Sequence, residues 1–244
     1  MEPYLSVIIP AYNEEKRIGM TLSAVEKWLK GQAFSWEVII AIDGAKDGTA
    51  NVANAFASGK ENIRVIDRKE NRGKGYTVRE GMMAANGKVR LFTDADNSTD
   101  ISHFSKMKPL FDSGKDIVIC SRDEKDAPGA RQAIPQSPIK RLMGNMGNLF
   151  IQIVAVYGIW DTQCGFKAFN EKSAKRIFTV SRIDRWGFDI EALALARHFG
   201  FSIGIVDAYW VNDTASHVKL SGYIGVLWET VKIRFWLITR QYDK

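Results

Sequence analysis

Val89-Arg90-Leu91-Phe92-Thr93-Asp94-Ala95-Asp96 decides the fold. Five residues with strand character, rich in branched and aromatic side chains, run straight into two carboxylates one residue apart. Two nearby aspartates on a loop usually form a solvated turn. At the carboxyl end of a strand they have a second use. In open α/β sheets ligands gather at that edge, and paired carboxylates there can share a hard cation such as Mg²⁺ or Mn²⁺, whose remaining ligands are water and phosphate oxygens.

The neighbouring sequence supplies such a sheet. Leu5 to Ile9, Trp36 to Ile42, Ile63 to Ile66 and Ile117 to Cys120 have the same apolar character as residues 89–93. Helical patterns at Glu15 to Leu29, Thr49 to Phe56 and Gly75 to Ala85 alternate with them. This alternation predicts an α/β protein with a mostly parallel sheet flanked by helices. From Asp123 to Pro138 the sequence turns polar, with three prolines, and predicts a loop. Beyond it the pattern predicts a helix from Pro138 to Tyr157, a strand from Gly165 to Phe169, helices from Glu171 to Phe178 and Phe188 to Phe199, a strand from Ile203 to Val211, and a helix from Tyr223 to Tyr242.

Other strand ends carry ligand-binding chemistry. Pro10-Ala11-Tyr12-Asn13-Glu14 follows the first strand, Asp43-Gly44-Ala45-Lys46-Asp47-Gly48-Thr49 the second, and Asn71-Arg72-Gly73-Lys74-Gly75 the third. Tyr12 can stack on a base. Glu14 and Asp43 can accept bonds from a ribose or a base N–H. Gly73 and Gly75 let backbone amides approach a ligand, and Lys74 adds positive charge. The Gly-Lys-Gly turn lacks the spacing and terminal hydroxyl of a P-loop. Each segment alone reads equally as a turn with a helix cap, Thr49 being one such cap. Four of them at successive strand ends point to a nucleotide site.

Composition agrees with a folded protein. Of 244 residues, 45% are hydrophobic and 25% charged, with a net charge of +6. The basic excess suits a nucleotide, a nucleic acid or an anionic membrane. Nucleic acid is the disfavoured partner, because the basic residues are scattered and form no recognition module. Two cysteines, Cys120 and Cys164, imply neither a disulfide framework nor a zinc site. The first residues do not read as a secretory signal. The longest uncharged stretch, Leu142 to Trp160, holds polar residues and glycines that disfavour a membrane span.

The strand-end segments resemble glycosyltransferase family 2, which has the GT-A fold. Cys120-Ser121-Arg122, Asp161-Thr162-Gln163-Cys164-Gly165-Phe166-Lys167-Ala168-Phe169 and Arg185-Trp186-Gly187-Phe188-Asp189-Ile190-Glu191-Ala192-Leu193 extend the likeness to the polyprenyl-phosphate sugar transferases within it. The resemblance implies a GT-A catalytic domain over 1–211, including a candidate interfacial helix at 138–160, and a C-terminal amphipathic membrane-associating helix over 212–244. It implies inverting transfer of a hexose, glucose first, from a UDP-sugar to dolichyl or polyprenyl phosphate. N-acetylglucosamine or mannose as the sugar stays open, as does a sugar nucleotidyltransferase, although that enzyme needs a Gly-rich, Arg-containing loop where this chain has Pro10 to Glu14. A processive polysaccharide synthase fits less well, since Arg182 stands where its motif has Gln. A noncatalytic scaffold would not need the paired aspartates.

By the same resemblance, Pro10, Tyr12, Glu14, Asp43 and Lys74 are nucleotide-binding positions. Asp94 contacts the donor and Asp96 is the main ligand of Mg²⁺ or Mn²⁺. Ser98 stands where a relative has a metal-binding Gln, so water or Asn97 completes the shell. Arg122 binds the acceptor phosphate with help from Lys140 or Arg141. Gln163 and Lys167 are either acceptor or sugar contacts, or strand packing. Asp189 orients the sugar or the nucleophile, with general-base action second, because a phosphate monoester with a second pKa of about 6 is already ionised at neutral pH.

The C-terminal helical segment is rich in aromatics. A helical projection puts its apolar residues on one broad arc, with Arg234 intruding and Glu229, Lys232 and Arg240 opposite. Periodicity alone favours a core helix. A lipid acceptor favours a helix lying in the bilayer interface, and hence peripheral attachment at the cytoplasmic face of a membrane.

Overall fold

The computed structural model describes residues 2–132, 138–211 and 220–243. The chain opens with β1 (Leu5–Ala11), α1 (Ile18–Lys30), β2 (Trp36–Asp43), α2 (Thr49–Ala57), β3 (Ile63–Arg68), α3 (Lys74–Ala84) and β4 (Val89–Thr93). There follow α4 (Phe104–Asp112), β5 (Ile117–Ser121), β6 (Arg131–Gln132), α5 (Pro138–Val154), β7 (Phe166–Asn170), α6 (Glu171–Val180) and α7 (Phe188–His198). The chain closes with β8 (Ile203–Asp207), β9 (Tyr209–Trp210) and α8 (Leu220–Ile238).

Seven strands form one sheet in the order β3-β2-β1-β4-β7-β5-β8. Six run the same way. β7 runs against both of its neighbours, β4 and β5. The sheet is thus mostly parallel, as the βα alternation predicts. β1 and β4 are buried along their whole length, so neither shows the alternation of a half-exposed strand. Successive side chains feed opposite faces. Ile8 and Phe92 join one apolar cluster with α3, α6 and α7. Val7, Ile9 and Leu91 join the other, with α1 and α4.

The chain departs from the sequence reading in places. α1 begins at Ile18, not Glu15, because the Glu14 carbonyl caps the turn by accepting from Arg17 and Ile18 N–H. α4 has no counterpart in the sequence reading; Pro109 lies inside it, and Phe104 and Met107 are its buried residues. The expected loop after Asp123 contains β6, which pairs with β9. The expected strand Ile203 to Val211 breaks at Ala208, whose N–H donates to the Ser121 carbonyl. The final helix ends at Ile238, four residues short of Tyr242.

Glu229 also departs from expectation. The projection placed it on the polar outer face, yet it turns toward α7 and accepts from the Gly187 N–H. The inner face of α8 carries Val226, Thr230 and Ile233, all buried. Val226, Ile233 and Tyr242 share a cluster with Phe188 and Leu193, so residues 220–243 complete the core of the preceding domain. Tyr242 is 1% exposed. Its hydroxyl donates to Glu191 Oε1 at 2.6 Å, and the same carboxylate accepts from the backbone N–H groups of Arg182 and Ile183. Burial pushes the Glu191 carboxyl up, and these donors partly offset it. Removing the phenol strips a charge-assisted bond from a buried acceptor. Tyr242→Phe should lower unfolding free energy by about 1.5–3 kcal/mol in urea denaturation.

Candidate active site

The common direction of six strands brings the ends of β1, β2, β4 and β5 to one edge. β7, running the other way, delivers its beginning there. The segment Asp161 to Gly165 therefore lies beside the turn after β4, although the two are far apart in sequence.

At the end of β4, Asp94 and Asp96 are half-buried around a fully buried Ala95. The Ala95 carbonyl accepts from Thr21 Oγ1 at 2.6 Å, which pins the turn to α1. Asn97 takes a left-handed φ of 55°, and the Ser98 N–H donates to Asp96 Oδ1 at 2.9 Å. Lys74 Nζ lies 2.6 Å from Asp94 Oδ1. That contact is an ion pair; no aligned hydrogen bond reaches this buried oxygen. Burial alone would depress the Lys74 ammonium, but Asp94, Asp189 and Asp96 outweigh it and hold the group above an ordinary lysine.

Among the described residues no third His, Cys, Asp or Glu joins the two carboxylates in a metal-binding cluster. A divalent ion held by Asp94 and Asp96 would take its other oxygens from a ligand phosphate and water, which suits Mg²⁺ and Mn²⁺. The under-bonded Asp94 oxygen and the half-exposed Asp96 fit that use. Ser98 Oγ is buried with no hydrogen-bond partner and sits on the same turn.

Asp43, at the end of β2, is 3% exposed. It accepts from the backbone N–H groups of Arg72 and Gly73, at 2.8 and 2.9 Å, and from Arg68. Its carboxylate thereby shapes the turn that carries Lys74. Gly73 has φ 104°, and a Cβ there would overlap the Asp184 carbonyl. Pro10 is buried at the end of β1, whereas Tyr12 is 42% exposed and open to stack. Glu14 pairs with Arg17 at 2.6 Å. Thr49 does not cap α2 with its side chain; Asp47 accepts from the Thr49 N–H, and Thr49 Oγ1 accepts from the Glu14 N–H. That bond ties the first strand-end segment to the second.

On the other side of Asp94, Arg122 forks onto Asp161, with Nε to Oδ2 at 2.7 Å and Nη2 to Oδ1 at 2.8 Å. The Arg122 N–H donates to the same carboxylate. Burial pushes Asp161 up, but Arg122 outweighs that and holds it below the usual carboxylate range. Asp126 braces the pair by accepting from the Trp160 and Asp161 N–H groups. Gln163 is exposed. The side chains of Lys140 and Arg141, in the first turn of α5, lie outside the described residues.

Lys167 departs from the expectation of a direct acceptor or sugar contact. It is 0% exposed, with Nζ 2.5 Å from Asp189 Oδ1 and 2.6 Å from the Cys164 carbonyl. A buried carboxylate needs a paired cation, and Lys167 supplies it from inside the sheet. Asp189 lies in the first turn of α7 and is 4% exposed. Burial pushes its carboxyl up, and Lys167 and Lys74 pull it back without cancelling the effect.

The sequence reading did not single out Asp161, Asp126 or Gly165 as site residues. Gly165 had a signal, a glycine opening an apolar strand, where a close backbone approach is the usual cause. A Cβ at Gly165 would overlap the Asp94 carboxylate.

Comparison with known proteins agrees with this geometry. The family model described as Glycosyl transferase family 2 matches residues 6–178. The dolichyl-phosphate beta-glucosyltransferase of Dictyostelium discoideum is 35% identical over 242 residues, covering 95% of this chain and 74% of that protein. The human protein of that name is 35% identical over 225 residues, covering 87% and 68%. The solved glucosyl-3-phosphoglycerate synthase of Mycobacterium tuberculosis, in complex with Mn²⁺, UDP and glucosyl-3-phosphoglycerate, superposes with a TM-score of 0.68 at 17% identity, covering 96% of this chain and 79% of that one. S. aureus TarS with UDP-GlcNAc gives 0.59 at 17% identity, covering 95% and 66%. These neighbours share the GT-A fold.

Gly165→Ala should leave the protein folded and displace Asp94. A displacement on the scale of one ångström costs about 100-fold in turnover, so kcat/KM should fall by about that much while the thermal midpoint moves little. Undiminished activity would mean that the Asp94 position does not matter.

Proposed function

We propose, from the premise that this chain belongs to glycosyl transferase family 2, that it transfers glucose from UDP-glucose to the phosphate of dolichol or another polyprenol. The observation that carries this reading is Lys74, set among Asp94, Asp96 and Asp189 at the strand edge. The relatives' names supply the donor sugar and the acceptor class. The same chemistry on N-acetylglucosamine or mannose is tested alongside.

Donor and acceptor are both anions, so the site must offset their repulsion. Asp94 and Asp96 would hold Mg²⁺ or Mn²⁺, which supplies Lewis-acid neutralisation of the diphosphate when bound. Lys74 would leave its pairing with Asp94 and lie against the diphosphate. Tyr12, Pro10, Glu14 and Asp43 surround the base and ribose. Arg122, held flat by Asp161, would present its remaining donors to the acceptor phosphate, aided by Lys140, Arg141 and the exposed Gln163. An acceptor phosphate oxygen attacks the anomeric carbon, forming a new C–O bond. The bond to UDP breaks, and its electron pair goes to the departing diphosphate. In-line displacement inverts the anomeric carbon. The nucleophile is already ionised, so Asp189 needs only to hold a sugar hydroxyl or orient the acceptor; its ionised form is the better acceptor of such bonds. Fixed charges that need no reorganisation supply most of the barrier lowering.

A lipid acceptor needs a surface that meets the bilayer. On α8 the outward residues Ile224, Trp228, Val231, Phe235 and Ile238 recur every three or four positions and are all exposed. Met146, Leu149 and Ile153 are exposed on α5, which packs beside α8. Among the described residues no helix is long and apolar enough to cross a membrane. The two stripes suit peripheral attachment, with apolar side chains in the interface of the cytoplasmic leaflet.

A panel of nucleotide-sugars with dolichyl phosphate and Mg²⁺ or Mn²⁺, read by mass of the lipid product, tests the assignment. UDP-glucose should give β-linked glucosyl phospholipid, and Asp96→Ala should give none. Product from another sugar alone would replace glucose in this reading. Lys167→Met tests the role of Asp189 through pH. Lys167 is the larger of the two charges that lower the Asp189 pKa, so its loss leaves only Lys74 against burial and raises it. A lost opposite charge at contact distance is worth about one to three pKa units. The acid limb of kcat should move up by that much, whereas an unmoved limb would remove Asp189 from the reaction.

A further inference from the structure

The segment 183–189 is held from two sides. On one side it carries the turn with Lys74: the Tyr76 N–H donates to the Asp184 carbonyl at 3.1 Å, and Gly73 packs its Cα against that same carbonyl. On the other side it meets α8. Glu229 Oε2 accepts from the Gly187 N–H at 2.7 Å, and Asp189 follows two residues later. The fit at Gly187 is close, since a Cβ there would lie 2.8 Å from Glu229 Oε2. Residues after α8 grip the start of the same segment. Arg182 donates to the Gln241 side chain and carbonyl, at 2.8 and 2.7 Å, and Tyr242 shares Glu191 with the N–H groups of Arg182 and Ile183.

Glu229 thus occupies a particular place. It lies next to Trp228, 61% exposed on the outward stripe, yet its own carboxylate reaches inward to the peptide that precedes the Asp189 turn. A helix that buries its outer face in lipid loses freedom of motion, and Glu229 is fixed on that helix while its carboxylate holds the Gly187 N–H. The segment 183–189 is the part of the site it touches.

We propose that Glu229 is a positioning residue that couples docking of α8 on an anionic bilayer to the placement of Asp189 and Lys74. This rests on the interfacial reading of α8 given above. Full turnover then requires the bilayer itself, beyond the lipid acceptor it carries. The device confines sugar transfer to enzyme that is already docked.

The test separates docking, coupling and chemistry. Docking is read by co-sedimentation with phosphatidylcholine–phosphatidylserine vesicles that contain no polyprenyl phosphate. Coupling is read with UDP-glucose and a short, water-soluble isoprenyl phosphate, with and without those vesicles. For the wild type, vesicles should raise kcat about tenfold, the scale of an ordinary coupling between sites, with little change in KM for UDP-glucose. Glu229→Met keeps the side-chain volume and loses the acceptor oxygen; it should bind vesicles as the wild type does but show no rise in kcat. Glu229→Gln keeps a carbonyl oxygen for the Gly187 N–H and should restore most of the rise. Hydrogen exchange in wild-type residues 183–189 should slow when vesicles are added. That readout needs neither turnover nor a folded variant, so it isolates the coupling from the assigned reaction. Failure of the wild type to bind vesicles would remove the docking premise and this proposal with it. A bound wild type with unchanged kcat and unchanged exchange, or a Glu229→Met variant that vesicles stimulate like the wild type, would overturn the coupling alone.

Discussion

One strand running against the sheet makes this site. β7 lies between β4 and β5 and opposes both. A parallel strand in that place would have brought Asn170 to the reactive edge and buried Asp161 to Gly165 at the far end. The reversal does the opposite. It puts Gly165 against the Asp94 carboxylate, Asp161 under Arg122, and the Lys167 side chain beneath Asp189. Three of the contacts on which the chemistry rests come from one reversed pairing.

That pairing also answers an electrostatic demand. Asp94, Asp96, Asp161 and Asp189 crowd the edge of a sheet whose interior cannot solvate charge. Burial of unpaired carboxylates is costly, and each of three has its own cation: Lys74 for Asp94, Arg122 for Asp161 and Lys167 for Asp189. The three pairs differ in what they can give up. Lys167 is sealed inside and stays with Asp189 for good. Arg122 is 22% exposed at its side chain, with an edge left to meet an anion. Lys74 is 21% exposed and paired to an oxygen that lacks an aligned hydrogen bond, so it is the partner most readily exchanged for a bound ligand. Exposure separates the sealed Lys167 from the two accessible cations, and in the proposed reaction the missing aligned bond at Asp94 would make Lys74, rather than Arg122, the group that moves.

The local parts of this arrangement were legible in the sequence. Strand and helix periodicity marked the alternating architecture, and the segments after β1, β2, β3 and β4 stood out because each places polar and glycine residues at a strand end. What escaped were matters of pairing across distance. Nothing in Phe166-Lys167-Ala168-Phe169 states the direction of its strand, and without direction Lys167 can be read as a ligand contact or as packing. Asp43 reads as a nucleotide contact, but its second task, accepting from the N–H groups of Arg72 and Gly73, involves a turn whose approach the sequence does not encode locally. α4 escaped for another reason: it is only nine residues long and carries Pro109 inside it, a residue that ordinarily ends a helix.

The final helix shows why a helical projection misleads when both faces are apolar. Projection assumes one dry side and one wet side, and it assigned Glu229 to the wet side by its charge. In the fold α8 has two apolar faces. Val226, Thr230 and Ile233 fill the protein core, and Ile224, Trp228, Val231, Phe235 and Ile238 point away from it. Helix propensity and core packing account for the inner face. Neither accounts for a regular outer stripe with a tryptophan and a phenylalanine on it, since such residues add nothing to the stability of a water-facing surface. A second apolar solvent does account for it. In the proposed reaction a lipid phosphate acceptor would bring that solvent to the site, with its chain in the bilayer and its phosphate at Arg122. On that proposal the outer face of α8 would be as much a part of substrate binding as the carboxylates at the sheet edge.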